Sequence, residues 1–239
     1  MFLIDKIKSL IVLNKNIIQT SFGTIKSEVS LFPLIYLFFV YLSRLITWGI
    51  WNEESIYNLW SKTEYLAEHF QFIFYFSSTL LSALIILKNK YKLLSLQNLC
   101  WLFFLIFVLI ITFEEISYLN PLQSNIFQII RDNNTQNEIN FHNSFLFQPY
   151  LHSAFIFLNL FLGWFGWKYF LIIEAIPKKI FSLYFLFTAI AYSIIQLRNF
   201  SIFFHLQKIP LDQEVFEFLM AMGLFLHTLK MFNYYSKRV

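Results

Sequence analysis

The chain has 239 residues, of which 58% are hydrophobic, 21% are aromatic and only 13% are charged, with a formal net charge of +4. A soluble domain usually has about 25% charged residues, so this composition excludes an ordinary soluble fold and indicates an integral membrane protein. The single cysteine, Cys100, excludes a disulfide framework and a thiolate metal site.

The chain divides into a basic N-terminal segment and one membrane domain. Residues 1–30 predict an amphipathic interfacial helix, because lysines interrupt the apolar residues at helical spacing. Residues 31–239 predict a single all-α transmembrane domain, since a helix bonds its backbone groups internally in lipid. Six segments each approach the roughly 20 residues that a helical span needs. These predicted spans cover about 31–51, 68–87, 94–113, 151–172, 180–198 and 214–234.

Lysine and arginine predict the orientation of the spans, because cytoplasmic loops carry an excess of them. They concentrate in the N-terminal segment, in loops 88–93 and 173–179, and at the C-terminus. Six spans put these regions on one side, so both termini are predicted to be cytoplasmic. The expected location is a bacterial plasma membrane or a thylakoid-type membrane. The net charge of +4 is then explained by the basic residues of the cytoplasmic loops and not by binding of nucleic acid. The expected partners are the lipid bilayer and other membrane subunits, with no nucleic acid.

Polar side chains gather on the predicted non-cytoplasmic side, at the end of the third span and in the long loop 114–150. Ionisable groups close to the hydrocarbon are costly and by default suggest a functional site. The candidate site residues are Glu114, Glu115, Ser117, Asn134, Gln136, Glu138, Asn140, His142 and Asn143.

Further charged residues are expected to support this cluster. Glu64 and Glu68 are four residues apart and share a helix face, and Glu217 lies near the outer end of the last span. Arg44 lies inside the first span, where an isolated charge would be costly. It is therefore expected to pair with Glu68, Glu114 or Glu217.

Two histidines outside the cluster have simpler interpretations. His152, near the start of the fourth span, fits an amphipathic residue at the membrane interface. His227 lies in the inner half of the last span and is expected to form hydrogen bonds within the bundle. Neither residue is assigned to the candidate site.

Two interpretations of the polar cluster remain open. The first is a salt-bridge and amide network that holds helix ends together. The second is a ligand site, in which a carboxylate acts as general base or a divalent metal binds. The chain has no phosphate-binding glycine loop, no G-x-S-x-G and no H-E-x-x-H, so no catalytic residue is identified. The candidate metal ligands are Glu114, Glu115, Glu138 and His142.

The same residues carry a family resemblance. The pattern E-E-x-S at 114–117, followed by N-x-Q-x-E-x-N-x-H-N at 134–143, resembles a group of uncharacterised bacterial multi-pass membrane proteins. In that group the first element usually continues as E-E-I-S-W-G-Q, whereas this chain has Tyr118 in place of Trp and lacks the Gly-Gln pair. The resemblance implies that the polar cluster is one unit. A fainter likeness is to alkaline ceramidase-type membrane hydrolases, whose H-x-x-x-H element this chain lacks.

Three functions are consistent with these features. The first is an integral membrane protein whose non-cytoplasmic site binds a cation or a polar lipid headgroup. The second is a metal-assisted membrane hydrolase that acts on lipid. The third is a structural subunit of a membrane complex.

Overall fold

A computed structural model of the protein describes residues 27–46, 66–89, 95–114, 148–197 and 213–237. Every regular element within these ranges is a helix, which confirms the predicted all-α class. The predicted interfacial helix lies almost entirely outside them. The helices are α1 (Ser27–Ile46), α2 (Leu66–Lys88), α3 (Leu96–Glu114), α4 (Gln148–Leu160), α5 (Gly166–Tyr169), α6 (Ser182–Leu197) and α7 (Gln213–Ser236).

In the described part of the chain, five helices are long and apolar enough to cross a membrane, with mean hydropathies of 1.5 to 2.3 over their apolar windows. They are α1, α2, α3, α7, and α6 together with the 3-10 turn Lys179–Phe181 that precedes it. The fourth predicted span is also helical but is not continuous, because the π-helical segment Phe161–Phe165 separates α4 from α5. The count of six spans therefore stays a prediction.

The helix directions define two ends of the bundle. Gln71 near the start of α2 bonds Glu214 near the start of α7, and Lys88 at the end of α2 bonds Ser236 at the end of α7. These contacts show that α2 and α7 lie side by side and run in the same direction. We call the end at which α2, α4 and α7 begin the acidic end, and the opposite end the basic end.

Helix α7 lies at the centre of the bundle. In its apolar window 61% of the residues are buried, against 11% in α1, and it packs extensively on both α2 and α6. Gly223 permits the close approach to α6, because a Cβ at this position would lie 2.8 Å from Tyr184 Cβ. Small residues at helix crossings bring backbones together in this way in membrane bundles. The central position of α7 lets its side chains meet those of several helices.

Hydrogen bonds hold the segment between α5 and α6 at the basic end. The ammonium of Lys178 donates to the carbonyls of Leu171 and Ile173 at 3.0 and 3.2 Å. Gln97 on α3 donates to the Ile172 carbonyl and accepts from the Glu174 amide. These contacts attach an irregular segment to the helices around it, which satisfies backbone groups that would otherwise lack partners.

His227 lies fully buried in the bundle, beside the backbone of Glu174 and Ala175. Its ring stacks on Trp101 with centroids 6.0 Å apart, while Phe104 and Phe181 meet it edge-on. These rings pack around the imidazole, and its hydrogen bonds within the bundle stay a prediction.

Candidate functional site

A cavity of about 500 Å³ lies at the acidic end, between α2, α3, α4, α6 and α7. Most of its wall is apolar and comes from α3 and α4. Its polar lining residues are Glu114, His152, Tyr192, Gln213 and Glu217, and its other lining residues are Tyr75, Phe107, Ile110, Ile111, Leu151, Ala154, Phe155 and Leu158.

Helical spacing separates the polar part of the cavity from the apolar part. On α3, Phe107, Ile111 and Glu114 recur at intervals of four and three residues, so they share one face. Glu114 is the last residue of that helix, and Phe107 lies about 10 Å deeper at a rise of about 1.5 Å per residue. On α4, Leu158 likewise lies deeper than His152. The cavity is therefore polar near the helix ends and apolar toward the middle of the bundle.

Four of the polar lining residues, on α4, α6 and α7, form a chain of hydrogen bonds. The Gln213 amide nitrogen lies 3.2 Å from His152 Nε2 and 3.4 Å from the Tyr192 hydroxyl. Tyr192 in turn donates to Glu217 Oε1. The contact with His152 is a hydrogen bond from the amide when Nε2 carries no proton. Gln213 therefore links His152 to Tyr192, and Tyr192 positions Glu217.

A second polar contact lies beside the cavity and joins α2 to α7. Gln71 is fully buried, and its amide nitrogen donates to the carbonyl of Glu214 at 3.0 Å and to the carboxylate at 2.9 Å. Glu68, one turn earlier on α2, is 7% exposed. The acidic end thus has an interhelical contact outside the cavity lining as well as the polar groups inside it.

The cavity faces a gap between α3 and α4. In the described ranges the extensive helix pairings are α7 with α2 and α6, α2 with α3, and α4 with α6, whereas α3 and α4 form none with each other. Ile110 on α3 and Leu151 on α4 line the cavity and are still 57% and 39% exposed. Among the described residues, α3 and α4 therefore line the cavity without packing closely on each other, and both carry exposed apolar side chains there.

The structure places some of the predicted site residues. Glu114 and Glu217 line the same cavity, and Glu68 is buried at the same end of the bundle. Arg44 lies in the last turn of α1 and is half-buried, and its ion pair with a carboxylate stays a prediction. The remaining predicted residues lie outside the described ranges: Glu64, Glu115, Ser117, Asn134, Gln136, Glu138, Asn140, His142 and Asn143.

The predicted metal site depends largely on residues that the structure does not describe. In the described part of the chain, no group of three or more His, Cys, Asp and Glu side chains could hold a metal ion. Of the four candidate ligands, only Glu114 falls in that part. Metal binding with Glu115, Glu138 and His142 therefore stays a prediction, and so does a metal-assisted hydrolase.

The polar lining includes three residues that the sequence did not assign to the site: His152, Tyr192 and Gln213. The interface interpretation of His152 followed from its place at a helix start, and the sequence carries no sign that α7 lies opposite it. Tyr192 is surrounded by apolar residues along the chain. The one available signal was the spacing of Gln213 and Glu217, which puts an amide and a carboxylate on one face of a helix.

Comparison with protein families, curated proteins and solved structures finds no match to the chain. The resemblance to bacterial multi-pass membrane proteins therefore depends on the two sequence elements alone. The geometry of the acidic end carries the functional argument, in a bundle whose described residues include five candidate membrane spans.

Proposed function

We propose that the protein binds a single polar lipid or related amphiphile in the cavity at the acidic end. The hydrocarbon chain lies against the apolar wall formed by α3 and α4. The polar headgroup lies near Glu114, His152 and Glu217. The observation that carries this proposal is the division of one cavity into a deep apolar part and a polar part near the helix ends.

The size and lining of the cavity support an organic ligand. Ligand sites usually occupy about 300–1,000 Å³ and combine a mostly apolar wall with a few well-placed polar groups. The cavity, at about 500 Å³ with five polar lining residues among thirteen, fits this description. A hydrated inorganic ion would leave most of the apolar wall without a contact.

The gap between α3 and α4 supports a ligand that arrives from the membrane. A lipid in the bilayer can insert its chain between the two helices without crossing the hydrogen-bonded contacts between α2 and α7. Ile110 and Leu151 at the gap present apolar surface to that chain. Because both residues lie within about one turn of a helix end, the headgroup can stay at the level of the membrane interface.

Filling the cavity tests this function. The full-length protein is purified into lipid nanodiscs, and binding of a fluorescent single-chain amphiphile is measured by titration. Ala154 is a small, exposed residue at the edge of the cavity wall, so Ala154→Phe adds a ring where the chain would enter. Ile190→Phe is the matched control, because Ile190 is 53% exposed on α6 and is not among the lining residues.

We expect Ala154→Phe to weaken binding at least about tenfold, because the ring excludes the ligand from a site that it normally fills. Ile190→Phe should bind as the parent does. Equal binding by the parent and Ala154→Phe would show that the amphiphile associates elsewhere and would contradict the proposal. Thermal unfolding of both variants, measured in the same nanodiscs, separates a blocked cavity from a damaged fold.

A further inference from the structure

An exposed cluster of aromatic and basic side chains lies at the basic end, where the fourth predicted span ends. It consists of Trp164, Trp167, Lys168 and Tyr169, in and just before α5, together with Lys179 in the 3-10 turn that precedes α6. Trp164 is 48% exposed, and both lysines are exposed as well. None of these residues lines the cavity. A ligand bound here would therefore occupy a different site, at the opposite end of the bundle.

Two tryptophan rings bring the two lysine side chains into one cluster. Lys168 Nζ lies 5.5 Å from the centre of the Trp164 ring and 5.3 Å from that of Tyr169. Lys179 Nζ lies 5.3 Å from the centre of the Trp167 ring. The two indole rings meet edge-on, with centroids 6.3 Å apart. Because an aromatic face attracts an ammonium group, these rings gather two positive charges from separate segments of the chain.

Contacts within the protein fix the two segments relative to each other. Trp167 Nε1 donates to the Gly163 carbonyl at 2.8 Å, which sets the orientation of the ring. Gly166 lets the segment after α5 pack closely, because a Cβ at this position would lie 2.7 Å from Ile176 Cγ2. Lys178 holds the same segment through two backbone carbonyls. The cluster is therefore arranged before a ligand binds, which reduces the freedom lost on binding.

Both ammonium groups of the cluster keep hydrogen-bond donors for a ligand. Among the described residues, the side chains of Lys168 and Lys179 form only the ring contacts above, with no ion pair and no hydrogen bond. An ammonium has three donors, and a ring face does not satisfy them. The nearest carboxylate along the chain, that of Glu174, accepts a hydrogen bond from Tyr235 instead. The positive charge of the cluster is thus not neutralised by these neighbours.

The surroundings of the two lysines favour the phosphate group of a lipid. Exposed tryptophan and tyrosine at the end of a membrane helix lie at the level of the lipid headgroups. Phe165 and Phe170 are 47% and 44% exposed next to the cluster in sequence, and they offer apolar surface to acyl chains. Phosphate oxygens accept charge-assisted hydrogen bonds from an ammonium. This end is also predicted to face the cytoplasm, where the membrane leaflet carries anionic lipids.

We propose that Lys168 and Lys179 bind the phosphate group of an anionic phospholipid at the basic end of the bundle. Trp164 and Trp167 position the two ammonium groups, and the neighbouring phenylalanines contact the acyl chains. This second lipid site does not depend on the proposed function, because it shares no residue with the cavity. Either site can therefore fail its test without affecting the other.

Native mass spectrometry of the full-length protein in detergent measures binding at this site. The purified protein is titrated with phosphatidylglycerol and, separately, with phosphatidylcholine that has the same acyl chains. The two lipids have similar apolar parts, but only phosphatidylglycerol has a net negative charge. We expect phosphatidylglycerol to occupy its first site at a concentration about 10- to 30-fold lower, because two lysines near a membrane surface both attract it.

Variants of the cluster link this preference to the two lysines. The double variant Lys168→Gln/Lys179→Gln should remove most of it, and Trp164→Leu should reduce it about two- to fivefold. Lys237→Gln is the matched control, because Lys237 is an exposed lysine at the same end that has no aromatic contact among the described residues. Its variant should keep the preference of the parent. Thermal unfolding in the same detergent checks the fold of each variant.

Several results would overturn the proposal. Equal binding of the two lipids by the parent would show that the cluster does not select an anionic lipid. An equal loss of preference in Lys237→Gln and in the double variant would show a general attraction to basic residues. Displacement of the lipid by inorganic phosphate at equal concentration would show that the anion alone is recognised. If the double variant does not fold, Lys179→Gln makes the same test, with an expected loss of about three- to fivefold.

Discussion

The side-chain amide of Gln71 bonds Glu214 twice, at its backbone carbonyl and at its carboxylate, with distances of 3.0 and 2.9 Å. The two residues are 143 positions apart in sequence. The contact joins the second turn of α2 to the first turn of α7, and the two helices run side by side in the same direction. It therefore holds α2 and α7 in register at the acidic end, next to the cavity.

Gln71→Met tests how much this contact stabilises the bundle. Methionine keeps a similar length but has no N–H donor, so the variant loses both bonds in a fully buried position. Hydrogen bonds to charged groups contribute about 1.5–3 kcal/mol each, and we expect a loss of that order in the free energy of unfolding. The measurement is denaturant unfolding in detergent micelles. Ile73→Met, at an exposed position of the same helix, should leave stability nearly unchanged.

Gly223→Ala tests the close approach of α7 to α6. In a helix without tight neighbours this change stabilises by about 1 kcal/mol, since alanine has the higher helix propensity. Here the new methyl group would lie 2.8 Å from Tyr184 Cβ and 3.2 Å from Phe185 Cζ. We therefore expect a loss of about 1–3 kcal/mol from overpacking, seen as a lower Tm. A higher Tm would show that the two helices are not this close.

The stability of the protein should rise with pH in a window set by Lys178. Burial lowers the pKa of Lys178 from 10.5 to about 8, and the Glu174 carboxylate opposes part of this effect. Between about pH 8 and 10.5 the unfolded chain keeps the proton while the folded protein releases it. The unfolded state then binds more protons, so the free energy of unfolding increases with pH.

Unfolding in detergent at a series of pH values measures this dependence. Lys178→Met should reduce the slope between about pH 8 and 10.5. Lys179→Met is the matched control, because Lys179 is the adjacent lysine and is exposed, so its variant should keep the slope of the parent. An identical slope in all three proteins would refute the assignment to Lys178.

The lysine and arginine distribution predicts which end of the bundle faces the cytoplasm. Reporter fusions after Lys92 and after Val239 should give a cytoplasmic signal, and a fusion near position 135 should give the opposite signal, because basic loops are retained on the cytoplasmic side. A cytoplasmic signal at 135 would invert the orientation and place the cavity in the inner leaflet. The cavity itself and its lining would be unaffected by that result.

The sequence by itself determined the all-α class of this protein and the positions of three of its long helices. Apolar content and low charge imply helices in lipid, since a bilayer leaves the backbone no other partners. The predicted segments 68–87, 94–113 and 214–234 lie within about two residues of α2, α3 and α7. The sequence also singled out the carboxylates Glu114 and Glu217 as candidate site residues, because charged residues are rare near the ends of apolar helices.

Tertiary structure alone decided which of these residues meet. Helices of similar hydropathy can pack in several orders, and hydropathy does not distinguish them. The parallel pairing of α2 and α7 brings Gln71 to Glu214, and the central place of α7 brings Gln213 to His152 and Tyr192. The gap between α3 and α4 arises because these helices pair with other helices. It could therefore not be predicted from the sequence of α3 or of α4.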